Sequence, residues 1–235
     1  EADVTSHMIG FTDLDDRGKE GLELSLDDQL AGEAGVKRVV KDLKGHRVQD
    51  VALIKAAHPG KDITLSFDTR VQYAAYRELA RGVAEHHATA GVLVSLDVET
   101  GEVLAMANLP SYNPNNRKQL TVNALRNRAV TDQFEPGSTL KPFTVAAALE
   151  SGKFNVRSHF NTTPGTFKVL NKLVRDHENY GVIDMPTLLT KSSNVASAQI
   201  AMALPRDTLP LLHRRLGFGR STGSGFPGES AGSMQ

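Results

Sequence analysis

Apolar residues stand at Val71, Ala75, Leu79 and Val83, a spacing that lines one face of a helix and predicts a helix over 69–86. A shorter stripe at Leu22, Leu26 and Leu30 predicts a helix over 22–30. Elsewhere the alternation is that of strands. Segments 36–40 and 47–53, around the turn Lys44-Gly45-His46, read as a strand pair, and 63–67 reads as a further strand. Segments 92–98 and 103–107 read as a hairpin through Thr100-Gly101, and His58-Pro59-Gly60-Lys61 marks a boundary. From about Leu120 the pattern turns helical. Helices are predicted over 139–149, with Gly152 as the stop, and over 195–204, ended by Pro205. Strands first and a block of helices later make an α+β chain.

Composition narrows this picture little. Hydrophobic residues make up 40% of the 235, enough for a core, and 27 basic residues balance 27 acidic ones. There is thus no net positive charge of the kind that marks a nucleic-acid binder. The balance is uneven along the chain. Residues 1–35 hold ten Asp/Glu against two Lys/Arg, and residues 36–62 hold seven Lys/Arg against three Asp/Glu. That alternation suits a solvated, extended module whose strands pair by charge. The absence of cysteine removes disulfides, thiolate metal sites and cysteine nucleophiles. No run of about 18 apolar residues is long enough to span a membrane.

The chemistry concentrates in Glu135-Pro-Gly-Ser-Thr-Leu-Lys-Pro142. Residues three apart on a helix share a face, so the hydroxyl of Ser138 and the amine of Lys141 fall within reach of each other. A serine hydroxyl needs a base before it becomes a nucleophile. A lysine serves as that base once burial and a helix N-terminus lower its pKa. Pro142 cannot donate toward the carbonyl of Ser138, which predicts a tight or irregular first turn. Taken alone, Ser-x-x-Lys also describes a helix start with a solvated lysine. A second element follows 54 residues after Ser138, as Lys191-Ser192-Ser193-Asn194. Locally it reads as a capped helix. As part of a site it is a Ser-x-Asn loop, with Ser192 relaying a proton and Asn194 holding a substrate carbonyl or the lysine. The two readings are compatible.

Together these motifs resemble those of the penicillin-recognising serine acyl-transferases, and the wider wording resembles class B penicillin-binding proteins. Phe143-Thr-Val-Ala-Ala-Ala-Leu-Glu-Ser-Gly152 continues the nucleophile helix. Val98-Glu-Thr-Gly-Glu-Val-Leu-Ala-Met106, Tyr112-Asn-Pro-Asn115, Arg126-Asn-Arg128, Thr190-Lys-Ser-Ser-Asn194, Gly217-Phe-Gly219 and Gly225-Phe-Pro-Gly-Glu229 occur in the family's order, over about 60–235. Glu135 before Pro-Gly-Ser, and Gly10-Phe-Thr-Asp-Leu-Asp-Asp-Arg-Gly-Lys-Glu-Gly21, look like the cell-division branch.

The resemblance implies a transpeptidase domain of the penicillin-binding-protein and serine β-lactamase type, an antiparallel sheet with a helical block. Residues 59–235 would be its N-terminal portion, and residues 1–58 a small β-rich, non-catalytic pedestal or linker. It implies a serine-type D-Ala-D-Ala transpeptidase or carboxypeptidase. Ser138, Lys141, Ser192 and Asn194 would be catalytic, and Ser138, Ser192 and Asn194 would contact substrate. Peptidoglycan stem peptides and β-lactams would be its ligands, and divisome membrane proteins including a glycosyltransferase its partners. It implies no cofactor and no metal. The body would be periplasmic, held to the inner membrane by a single N-terminal anchor. The family's third motif, Lys-[Ser/Thr]-Gly, is not found, since no lysine precedes Ser/Thr-Gly. The expectation is therefore an incomplete domain, inactive on its own. Two alternatives stay open: a serine β-lactamase or β-lactam sensor, and a non-catalytic division scaffold.

Three further groups are weighed. His86-His87 reads as a helix end rather than a metal pair, because adjacent helical positions point apart. Arg175-Asp176-His177 reads as a structural loop near the cleft. Glu229 lies where class A β-lactamases keep a deacylating glutamate, but lacks their surrounding Glu-x-x-Leu-Asn and reads as a loop or cap residue.

Overall fold

The computed structural model describes residues 2–116, 118 and 120–234, which form two compact units. The first comprises Glu1–Asp132 with Gly223–Ser230, the second Gln133–Thr222 with Ala231–Gln235. Helix and strand are mixed in both, an α+β fold as the pattern predicts. Among the described residues the strands pair as five separate two-stranded antiparallel ladders. No described helix is long and apolar enough to cross a membrane.

The first unit runs α1 (Ser6–Ile9), β1 (Phe11–Thr12), β2 (Gly18–Glu20), α2 (Gly21–Ser25), α3 (Asp27–Leu30), β3 (Val36–Lys41) and β4 (Arg47–Lys55). It continues through α4 (Thr69–Glu85), β5 (Gly91–Leu96), β6 (Val103–Leu109), α5 (Val122–Leu125) and α6 (Arg128–Thr131). The stripe on α4 packs Ala75, with Tyr76 and Leu79 beside it, onto Ala105 and Ala107 of β6. Small residues on β6 let the helix lie close. Gln72 fastens the two elements at depth: its amide donates to the carbonyl of Met106 at 2.9 Å and accepts from the Met106 N–H at 2.8 Å. Asp68 caps α4 by accepting from the N–H groups of Arg70 and Val71, and the Arg70 side chain and those amides pull its pKa down to about 2.

The β3–β4 ribbon is exposed along both strands. Lys37 pairs across the ladder with Asp50 at 3.6 Å, and Lys55 pairs at 2.9 Å with Glu33, which precedes β3. Three expectations differ. The block from about 120 onward, read as helical, also carries the strands His159–Asn161, Thr166–Val169, Lys172–Arg175 and Val182–Asp184, which pair as short ladders between its helices. Segment 22–30 is two short helices, because Leu26 leaves helical geometry at φ −113° and ψ 14°. Segment 63–67 is not a strand. Among the described residues it bonds to β6 through Ser66 Oγ donating to the carbonyl of Val103, with the adjoining Asp68 N–H donating to that of Leu104, too few bonds for a ladder. Phe67 packs instead beside Met8, Met106 and Phe226.

The second unit opens with a 3₁₀ turn over Gly137–Leu140 and runs through α7 (Lys141–Glu150), β7 (His159–Asn161), β8 (Thr166–Val169) and β9 (Lys172–Arg175). It continues with β10 (Val182–Asp184), α8 (Met185–Lys191), α9 (Asn194–Ala203) and α10 (Thr208–Arg215). Val145 and Ala148 of α7, Leu188 of α8, Ala196 and Ile200 of α9, and Phe160 and Ile183 of the β7–β10 pair close one core. That core holds the start of α7 against the junction of α8 and α9, where the candidate chemistry lies.

Candidate active site

Gly137 sits at φ +58°, a backbone that glycine adopts without strain. The chain then enters a 3₁₀ turn in which the Lys141 N–H bonds back to the Ser138 carbonyl. This is the tight first turn expected of Pro142, which has no N–H for the α-helical bond to that carbonyl. Residues i and i+3 eclipse in a 3₁₀ turn, so Lys141 stands directly over Ser138. Its Nζ is 3.2 Å from Ser138 Oγ. Ser138 is exposed, whereas Lys141 is buried.

The second element arises where α8 ends. Ser192 takes the left-handed backbone, φ 53° and ψ 45°, and its N–H closes the helix on Leu188 and Leu189. For a residue with a Cβ this conformation costs about 1–2 kcal/mol. In return, the Ser192 carbonyl and hydroxyl both reach Lys141. Ser193 follows as the N-cap of α9, accepting from the Ala196 N–H at 3.0 Å, and is fully buried. The middle residue of Ser-x-Asn therefore points inward, while Ser192 and Asn194 turn outward. Ser192 Oγ lies 3.0 Å from Ser138 Oγ. The structure thus brings Ser138, Lys141, Ser192 and Asn194 into one cluster.

Four oxygens surround Lys141 Nζ: Ser138 Oγ at 3.2 Å, Ser192 Oγ at 2.8 Å, Asn194 Oδ1 at 2.7 Å and the Ser192 carbonyl. Two of these can only accept. The carbonyl of Ser192 is one. Asn194 Oδ1 is the other, because the same amide's Nδ2 donates to the Arg175 carbonyl at 2.8 Å and so fixes which end faces the lysine. A neutral amine has two N–H bonds and one lone pair. The two obligate acceptors take the two N–H bonds and leave the lone pair for a hydroxyl. Burial pushes the Lys141 pKa below its ordinary value, and the negative charge of Asp176 partly opposes this.

Asp176 is the residue whose part the sequence did not disclose. Its Oδ1 accepts from the N–H groups of Asn194 at 2.5 Å and Val195 at 3.0 Å, and its Oδ2 accepts from Ser193 Oγ at 2.7 Å. An aspartate beside Arg and His suggested only a charged loop. Its partners lie 17 to 19 residues away, outside any local capping pattern. The other groups weighed above lie elsewhere. His86 ends α4, and His87 follows at φ +50°. No cluster of three or more metal-ligating side chains occurs among the described residues. Glu229 accepts from Ser224 Oγ at 2.9 Å in a loop of the first unit.

The sequence model described as "Penicillin binding protein transpeptidase domain" matches residues 91–235, and that described as "Penicillin-binding Protein dimerisation domain" matches residues 2–65. The probable peptidoglycan D,D-transpeptidase PenA of Neisseria gonorrhoeae is 44% identical over 98% of this chain and 40% of its own length. The peptidoglycan D,D-transpeptidase FtsI of Escherichia coli (strain K12) is 43% identical over 98% of this chain and 39% of its own. The chain therefore spans about two-fifths of the curated relatives it matches. Among solved structures, apo penicillin binding protein 3 of Mycobacterium tuberculosis superposes with a TM-score of 0.84. It is 29% identical and covers 99% of this chain and 49% of its own. The transpeptidase domain of Burkholderia pseudomallei penicillin-binding protein 3 gives a TM-score of 0.65 at 34% identity, over 75% of this chain and 49% of its own.

Proposed function

The chain belongs to the penicillin-binding protein transpeptidase family, and from that premise we propose that it carries the nucleophile half of a peptidoglycan D,D-transpeptidase of septal cell-wall synthesis. Lys141, as the free amine, takes the proton of Ser138. Ser138 Oγ attacks the penultimate D-Ala carbonyl of a stem peptide and forms an ester, and the C–N bond to the terminal D-Ala breaks. Ser192, whose hydroxyl touches both other groups, passes the proton held by Lys141 to the leaving amine. The amine of a neighbouring stem peptide then attacks the ester, forming the C–N bond of the cross-link and breaking the C–O bond to Ser138, whose oxygen takes back the proton that the amine gives up. Asn194 holds Lys141 and the substrate amide. β-Lactams present the same acyl group and stop at the ester. Residues 1–58 serve as a non-catalytic pedestal and residues 59–235 as part of the transpeptidase domain. The body works in the periplasm, held by an N-terminal anchor in the inner membrane, beside a glycosyltransferase and other division proteins.

The observation that carries this reading is the environment of Lys141 Nζ. Two fixed carbonyl acceptors occupy its N–H bonds, and its remaining contacts are the hydroxyls of Ser138 and Ser192. Exposure of the complete protein to a penicillin is expected to add the drug's mass to the tryptic peptide holding Ser138. Ser138→Ala is expected to abolish the addition. Labelling of a different serine with Ser138 unmodified would overturn the assignment.

A further inference from the structure

Resting on the acyl-transfer reading above, we propose that Asp176 is a positioning residue: by accepting three hydrogen bonds at the start of α9, its carboxylate sets where Ser192 and Asn194 stand against Lys141. The carboxylate does not touch Ser138 or the lysine amine. Each of its oxygens is committed to the 193–195 turn, Oδ2 to the Ser193 hydroxyl and Oδ1 to the amides of Asn194 and Val195. The Ser193 hydroxyl has one proton. Giving it to Asp176 leaves its lone pairs for the Ala196 N–H, so carboxylate and N-cap form a relay that fixes the buried middle residue of the motif.

The neighbouring residue completes the clamp. The Arg175 carbonyl accepts from Asn194 Nδ2 at 2.8 Å, so two adjacent residues grip Asn194 by its backbone and its side chain. The clamp is anchored in turn. The Asp176 N–H donates to the Gly165 carbonyl at 3.0 Å, at the base of the β8–β9 hairpin. The hairpin is therefore the strut that carries the clamp to the site.

The charge of Asp176 works against the task its geometry serves. A carboxylate near the site favours the protonated lysine, whereas the reaction needs the free amine. Asp176→Asn separates the two effects. The amide keeps an oxygen for the two backbone N–H groups and turns an NH₂ toward Ser193 Oγ, but it carries no charge. Asp176→Ala removes both.

The test is the pH dependence of Ser138 acylation by a fluorescent penicillin in the complete protein. Asp176→Asn is expected to move the acidic limb to lower pH, with the optimum rate within a few-fold of the parent. Asp176→Ala is expected to lose about 10²-fold, the scale of a misplacement near 1 Å. Asp176→Ala within about threefold of the parent, with the limb unmoved in both variants, overturns the proposal. So does an equal loss in both variants. Amide hydrogen exchange at Asn194 and Val195 judges the clamp even if Ser138 is never acylated, which keeps its failure distinct from failure of the acyl-transfer reading. Exchange about tenfold faster in Asp176→Ala, the order of a lost helix cap, and near-parental in Asp176→Asn supports it; unchanged exchange in Asp176→Ala overturns it.

Discussion

Lys141→Arg is expected to slow acylation of Ser138 by about 10²–10⁴ near neutral pH, the range a general base contributes. Arginine keeps much of the buried aliphatic stem and enough N–H bonds to serve the Ser192 carbonyl and Asn194 Oδ1. It cannot release a proton at any working pH. The substitution thus keeps the stem and the two N–H contacts and replaces the lone pair that faces the two hydroxyls with a fixed positive charge. Fluorescent-penicillin labelling rates, with circular dichroism to confirm the fold, make the comparison. A rate within a few-fold of the parent would show that Lys141 holds the site by charge and that another group takes the proton.

Asn194→Asp tests the same balance from the opposite side. The substitution is nearly isosteric but places a carboxylate oxygen where Asn194 Oδ1 stands 2.7 Å from the amine. An opposite charge at that distance raises a lysine pKa by about 1–3 units. The free-amine fraction at neutral pH then falls, by at most about tenfold for each unit of that rise. Asn194 is exposed, which favours the lower part of the range through screening by water. A raised pKa means that the amine is freed only at higher pH, so the acidic limb of the acylation profile moves up and the rate recovers in alkali. Asp176→Asn is expected to move the limb the other way. A uniform loss with no displacement would place the defect in substrate contacts or in the lost bond from Asn194 Nδ2 to the Arg175 carbonyl, rather than in the lysine pKa.

The local elements were readable because each is written in contiguous residues. The stripe on α4 reports its buried face. Asp97 accepts from Glu99 and Thr100 at 2.9 Å each, which turns the chain between β5 and β6 where Thr100-Gly101 predicted. The Ser138–Lys141 spacing and Pro142 together imply the tight turn. The distance from that turn to Ser192 was not readable from spacing. It depends on how α7, α8 and α9 pack around Leu188 and Ile200, and motif resemblance had to stand in for packing. The clamp on Asn194 was still less accessible, since a hairpin must fold back to bring residue 176 to the start of α9. Segments 22–30 and 63–67 went astray for a related reason. Periodicity states which face a segment would bury, but not whether a continuous helix survives there or a partner strand exists.

The left-handed turn at Ser192 makes one torsion do the work of two side chains. Because φ there is 53°, the residue's carbonyl and hydroxyl both reach the same nitrogen, a two-pronged socket that a right-handed backbone would open by swinging the carbonyl away. The basicity of the lysine is therefore tied to the backbone of a residue 51 positions away. Glycine, the residue that tolerates this backbone best, would keep the carbonyl prong and delete only the hydroxyl. Position 192 is thus a place where the anchoring of the amine and the proposed passing of its proton can be taken apart by a single substitution.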